Sequence, residues 1–196
     1  MPHNRTRAVT PRGNYKRYNM DWLDFKEFVK DTLKYVIFVV AVIVIAVYVI
    51  GLQQIVGDSM NPTLYNGQTI YIDRFQYMLS NPKAGDVVVF LPNNNKNEHY
   101  YVKRVIAVPG DTVVIKNGVC YVNGEVSPYV NGTIEQAGIA ANEIVVENSS
   151  FFCLGDDLDN SEDSRSANIG LIKGTDILGK AWLHAKYGYE KMGMIK

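Results

Sequence analysis

Hydrophobic and polar positions follow three rhythms along the 196-residue chain. Residues 1–19 are polar and basic with no apolar period, which predicts a disordered tail. In Asp21–Lys34, Trp22, Phe25, Phe28, Val29 and Leu33 recur near helical spacing with charges between them. That pattern predicts an amphipathic helix lying at an interface. Tyr35–Leu52, YVIFVVAVIVIAVYVIGL, then runs without a charge. Eighteen helical residues at about 1.5 Å each span roughly 27 Å, close to the hydrocarbon thickness of a bilayer. The Val and Ile content would also suit a strand, but strands rarely exceed about ten residues. A cleavable leader fits poorly, because the run exceeds the usual apolar length of about 7–15 and no small-x-small site follows it. The stretch therefore predicts one retained transmembrane helix over 35–56, with Gln54–Val56 as a short linker.

From Thr69 onward the rhythm changes to short runs rich in Val, Ile and Tyr, broken by Gly, Pro and Asn. They read TIYI, DVVVFL, YYVKRVIAV, DTVVI, VCYV, IVVE, SFFCLG and DILGKAWLHA. Asn117-Gly118 and Asn123-Gly124 each sit between two such runs and predict tight hairpins. Loops are expected over 80–85, 92–98, 127–142 and 156–170. The fold class expected is mostly β: a single N-terminal membrane helix, then a curled, barrel-like antiparallel domain. Three segments follow: a basic tail over 1–34, the anchor over 35–56 and a β domain over 57–196.

Charge orients this arrangement. The formal net charge is zero, yet residues 1–34 carry Arg5, Arg7, Arg12, Lys16, Arg17, Lys26, Lys30 and Lys34 against four acids. A basic tail beside an apolar span places residues 1–34 in the cytoplasm and the β domain outside the cell membrane, in a single pass. It does not point to nucleic acid. The two cysteines, Cys120 and Cys153, lie inside apolar runs; they could bridge in an oxidising compartment but fit small buried hydrophobes. His3, His99 and His184 have no metal-ligand spacing, and no glycine-rich phosphate loop occurs.

Candidate chemistry lies in three stretches. In Gly57-Asp58-Ser59-Met60-Asn61-Pro62-Thr63-Leu64, Pro62 turns Asn61 away from helix and could hold the Ser59 hydroxyl open, although a turn serine commonly serves the turn alone. In the strand Tyr101–Asp111, alternation puts Tyr101, Lys103, Val105 and Ala107 on one face and Val102, Arg104, Ile106 and Val108 on the other. Apolar neighbours favour the neutral Lys103 amine, which could take a proton from a hydroxyl; a lysine reaching out to water is the plainer alternative. Arg104, on the opposite face, is expected to accept lysine mildly. In Leu154–Arg165 the acids lack the ligand spacing and central glycine of a calcium loop. There Asp163 and Arg165 could pair, and Ser161 could bond near the amine; a solvated acidic loop is the alternative.

Ser59-Met60-x-Pro62-Thr63-Leu64, Lys103-Arg104-Val105-Ile106 with Pro109-Gly110-Asp111, and Gly155-Asp156 with Asn160-Ser161-x-Asp163-Ser164-Arg165 together resemble type I signal peptidase in order and spacing. Gly85-Asp86-Val87-Val88 resembles a further box of that family. The resemblance covers roughly 35–185. It implies a membrane-anchored serine endopeptidase that cleaves signal peptides from exported preproteins, needing no cofactor and working near the membrane lipid and the secretion translocon. It implies Ser59 as nucleophile, Lys103 as general base, Ser161 orienting the amine, the Asp163–Arg165 pair holding the loop and Met60 lining the site. Gly57 stands where some members carry a serine that helps the oxyanion hole, so a backbone amide, that of Ser59, is expected to serve. Asp157 and Ala107 are lesser departures. A soluble self-cleaving repressor, a sortase-like cysteine transpeptidase and an inactive tethered binding domain are the other classes. The anchor, the cysteine positions and the intact serine and lysine argue against each in turn.

Overall fold

The computed structural model describes residues 22–92, 95, 99–185, 188 and 192–195. The expected tail over 1–19 lies outside them, as does part of the 92–98 loop. The chain divides into two units, Met1–Ile43 and Val44–Lys196.

Helix α1 runs Trp22–Val49 without a break, so the amphipathic and apolar rhythms share one helix. Trp22 stacks on Phe25 at 5.9 Å, and Lys26 lies over the Trp22 ring at 5.3 Å. From Tyr35 to Ile45 the large apolar side chains are exposed on every face. The structure corrects the single helix expected over 35–56. Helix ends at Val49, and Ile50–Gln54 form strand β1, paired antiparallel with β2, Thr69–Asp73. A β-branched apolar run carries no stop signal of its own, and the free edge of β2 supplies the pairing that helix cannot. Among the described residues no helix is long and apolar enough to cross a membrane.

The second unit holds two antiparallel sheets. The larger orders β1-β2-β11-β3-β4-β9-β10, with β12 beside β11. Its remaining strands are β3 Val87–Phe90, β4 Tyr101–Ala107, β9 Ser150–Leu154, β10 Ile172–Lys173, β11 Ile177–His184 and β12 Gly193–Met194. The smaller orders β7-β6-β5-β8, from β5 Thr112–Lys116, β6 Val119–Val122, β7 Glu125–Val126 and β8 Ile144–Val145. Register shifts in the pairings of β11 and of β4 with β9 bend the larger sheet, as bulges do. The mostly β, curled antiparallel class is the one observed. Both predicted hairpins form: Asn117 and Gly118 take φ of 52° and 78°, Asn123 and Gly124 take 53° and 83°. Left-handed values at both turn positions are what a two-residue hairpin requires.

Strand β3 explains why its run is apolar throughout rather than alternating. Val87 and Val89 enter one cluster with Ile55, Met60, Leu64, Ile70 and Val102. Val88 and Phe90 enter another with Val105, Phe151 and Cys153. A strand buried on both faces has no position left for a polar side chain. Cys120 lies in a third cluster, and both thiols are free and buried. At the start of β3, Asp86 accepts from Lys180 Nζ at 2.6 Å, Tyr77 Oη at 3.0 Å and the Lys83 amide at 3.0 Å. Burial, then the Asp86 charge, pushes the Tyr77 hydroxyl well above its ordinary value.

Candidate active site

Between β1 and β2 the chain makes a strap closed at its base: Ile55 N donates to Gln68 O at 2.8 Å and Gly67 N to Ile55 O at 2.9 Å. Inside it, Asn61 N donates to Asp58 O and Leu64 N to Met60 O, each at 2.9 Å, and the Asn61–Pro62 peptide bond is cis. Met60 and Leu64 are buried in the cluster beneath, so two anchors four residues apart hold the turn down and leave Ser59 half-exposed above it. Gly57 has a φ of +90°, a conformation that side chains resist and glycine accepts.

Strand alternation separates the two cations of β4. Lys103, 4% exposed, brings its Nζ to 2.6 Å from Ser59 Oγ. Burial pushes the amine down from 10.5 to about 8, while the Asp163 and Glu162 carboxylates pull it partly back up. Such a group is close to half neutral near pH 8. The Tyr101 ring lies 5.5 Å from Nζ, and Tyr101 Oη donates to Glu162 Oε2 at 3.2 Å. Arg104 forks the other way, onto Asp156: Nε to Oδ1 at 2.8 Å and Nη2 to Oδ2 at 2.6 Å, with Nη1 on Gly85 O at 3.0 Å. Thr63 Oγ1 donates to Asp156 Oδ2 at 2.5 Å. That buried fork ties the strap to the 154–165 loop from the face of β4 turned away from Lys103.

The same loop passes directly behind the serine. Asp157 N donates to Ser59 O at 3.1 Å. A Cβ at Gly155 would overlap both Ser161 Oγ and the Ser59 carbonyl oxygen, so residue 155 has to be glycine for the two segments to meet. Asp163, fully buried, accepts from Arg165 Nε and Nη2 at 2.9 Å each, from Arg165 N at 3.1 Å and from Gly155 N at 3.1 Å. The pair foreseen for Asp163 and Arg165 is therefore present and bonded into the turn. Ser161 Oγ is buried but makes no hydrogen bond among the described residues; it lies against Gly155, not on the Lys103 amine. Asp157 caps its own loop, accepting from Asp159 N and Asn160 N, and among the described residues no side-chain cluster could hold a metal ion.

Ser59 and Lys103 open into a cleft of about 260 Å³ whose lining includes Ile55, Val56, Met60, Val102, Asn160 and Glu162. A hydroxyl beside a desolvated amine, facing an apolar slot, can act as an activated nucleophile on a peptide carbonyl. Sequence reasoning named Thr63, Gly155 and Asp156 as motif residues without foreseeing their contacts, and it gave Glu162 no part in the site. The one available signal was Arg104, a cation that alternation drives to the inner side of an apolar strand, where it needs a buried acid.

Comparison with known proteins follows the same residues. Residues 26–185 match the family described as signal peptidase, peptidase S26. A signal peptidase IB of Staphylococcus aureus (strain MRSA252) is 32% identical over 185 residues, covering 84% of this chain and 94% of its own. Signal peptidase I P of Bacillus subtilis subsp. natto is 34% identical over 132 residues, covering 63% and 70%. A solved signal peptidase I from Enterococcus faecalis V583 aligns at 25% identity with a TM-score of 0.39, over 52% of this chain and 97% of that one.

Proposed function

The chain belongs to the signal peptidase family, peptidase S26, and on that footing we propose that Ser59 is its nucleophile and Lys103 its general base. The enzyme is a hydrolase, a serine endopeptidase that removes signal peptides from preproteins. The observation that supports the residue assignment best is the 2.6 Å contact between Ser59 Oγ and an amine whose pKa burial has lowered to about 8.

With Lys103 neutral, the Ser59 hydroxyl donates to Nζ along that contact. Oγ attacks the carbonyl at the end of the signal peptide, and Lys103 takes the proton. The Ser59 amide donates no hydrogen bond among the described residues, so it is free to meet the oxyanion, as expected with glycine at 57. Collapse of the intermediate breaks the peptide bond, and Lys103 gives its proton to the departing amine of the mature protein. Water, deprotonated by Lys103, then releases the signal peptide from Ser59. Met60 forms the floor of the slot. Asp163 with Arg165 holds the 154–165 loop against the serine, and Ser161 Oγ fills the space beside Gly155. The apolar slot suits small side chains at the first and third positions before the cut.

Bacterial signal peptidases I are membrane-associated. Here residues 1–34 are assigned to the cytoplasm and the β domain to the outer side, in a single pass beginning at Tyr35, with lipid and the translocon as neighbours. The eight basic residues of 1–34 support that orientation, and the charge-free run from Tyr35, exposed on every face of α1 as far as Ile45, supports the span, which continues as helix only to Val49. The β domain begins at Ile50 rather than at Gly57.

The test is processing of a reporter preprotein in detergent by wild type, Ser59→Ala and Lys103→Arg. Both variants should fold and neither should cleave, because arginine, with a pKa above about 12, supplies no free base. Cleavage by Ser59→Ala would end the serine assignment, and cleavage by Lys103→Arg would end the lysine one.

A further inference from the structure

The cleft does not stop at the serine. Asn160 and Glu162 line it, and they also line a second groove of about 550 Å³ whose walls include Glu135, Asp159 and Arg165. A ridge of two residues thus separates an apolar slot from a polar trough. Glu162 is exposed on that ridge, and Tyr101 Oη holds its carboxylate from across the slot. The trough is acidic in effect. Arg165 spends its charge on Asp163, whereas Glu135, Asp159 and Glu162 take part in none of the four ion pairs among the described residues.

A peptide bond presented to Ser59 has two unlike halves. The signal-peptide half, small and apolar, suits the slot between Ile55–Val56 and Val102. The other half is polar and becomes a free amine on cleavage, and the Asn160–Glu162 ridge, shared by the cleft and the trough, joins the two spaces it can occupy. Resting on the signal peptidase reading, we propose that Glu162 is a specificity-determining residue and that the trough beyond it takes the first residues of the mature protein, favouring cationic side chains and disfavouring acidic ones. Exposed charge pairs shift equilibria by about 1.5- to 5-fold each, and salt near 1 M shortens their reach to about 3 Å.

The experiment uses the full chain in detergent and preproteins identical except for Lys, Gln or Glu at one of the first four positions after the cut. It reads kcat/KM ratios, which cancel any general loss of activity in a variant. At one position or more, wild type should prefer Lys over Glu by about 4- to 10-fold, with Gln between. Glu162→Gln should compress that ratio at least two-fold, and 1 M salt should do the same. Glu135→Gln with Asp159→Asn should compress it at the later positions. An equal Lys:Glu ratio in wild type, or a ratio unchanged in Glu162→Gln, overturns the proposal. If wild type cuts none of the Gln substrates the signal peptidase reading itself fails, and this inference falls with it.

Discussion

Replacing Lys103 by methionine should abolish processing and make the folded protein more stable near neutrality. The buried amine is pushed from 10.5 to about 8, chiefly by desolvation. At about 1.4 kcal/mol per pH unit, holding a proton on it in the folded state costs about 3 kcal/mol. The sign follows from proton counting. Between pH 8 and 10.5 the unfolded chain binds more protons at this site than the folded one, so stability rises with pH across that window. Below pH 8 the whole cost is present; above 10.5 it is gone. Methionine keeps the side-chain length and removes the cost, but it also removes the Ser59 contact, worth about 1 kcal/mol. The net gain at pH 7 is about 2 kcal/mol, or roughly 4–8 °C in Tm for a chain of this size. Thermal unfolding in detergent followed by circular dichroism, at pH 7 and at pH 10.5, measures it. Lys103→Met should melt above wild type at pH 7 and level with it or slightly below at pH 10.5. A variant less stable at pH 7, or a gap unchanged between the two pH values, would refute the reasoning.

The other substitutions probe what stands behind the pair. Arg104→Lys loses the fork onto Asp156 and should cost about 1–3 kcal/mol in denaturant unfolding, while the folded fraction keeps cleaving; an unchanged midpoint would contradict the buried fork. Gly155→Ala drives a methyl into the Ser59 carbonyl and should cut kcat by about 100-fold through misplacement of Ser59. Full activity in that variant would show that the loop and the strap are not in register as described.

Elements whose cause is local were legible in the sequence. The Asn-Gly turns, the runs of β3, β4 and β9 and the opposed faces of Lys103 and Arg104 depend on neighbours one to four residues away. Strand β1 was not legible, because Ile50–Gln54 continues an apolar helical run and only the edge of β2, some twenty residues on, makes it a strand. The two-residue strands β7, β8, β10 and β12 are likewise created by their partners. In the site, the motif residues included the Ser59 and Lys103 that meet at 2.6 Å and the Asp163–Arg165 pair. Asp156 stood in a motif, but its pairing with Arg104 stayed hidden among five acids in one loop, since nothing in its spacing tells a buried carboxylate from a solvated one. Ser161 was expected on the amine; its place against Gly155 depends on how closely two distant segments pack.

That close packing bears on when the enzyme first exists. Ser59 meets Lys103 across 44 positions of chain, and Thr63 meets Asp156 across 93. Contacts so remote in sequence close late, after the loop entropy between them has been overcome. A nascent chain that has reached Lys103 already contains Ser59 and its amine partner, but it lacks β9 beside β4 and the 154–165 turn behind the serine. Without them the amine stays wet and keeps its proton. The half-made chain is thus its own inactive precursor, and proteolytic power arrives only when β9 and the turn behind the serine have been laid down.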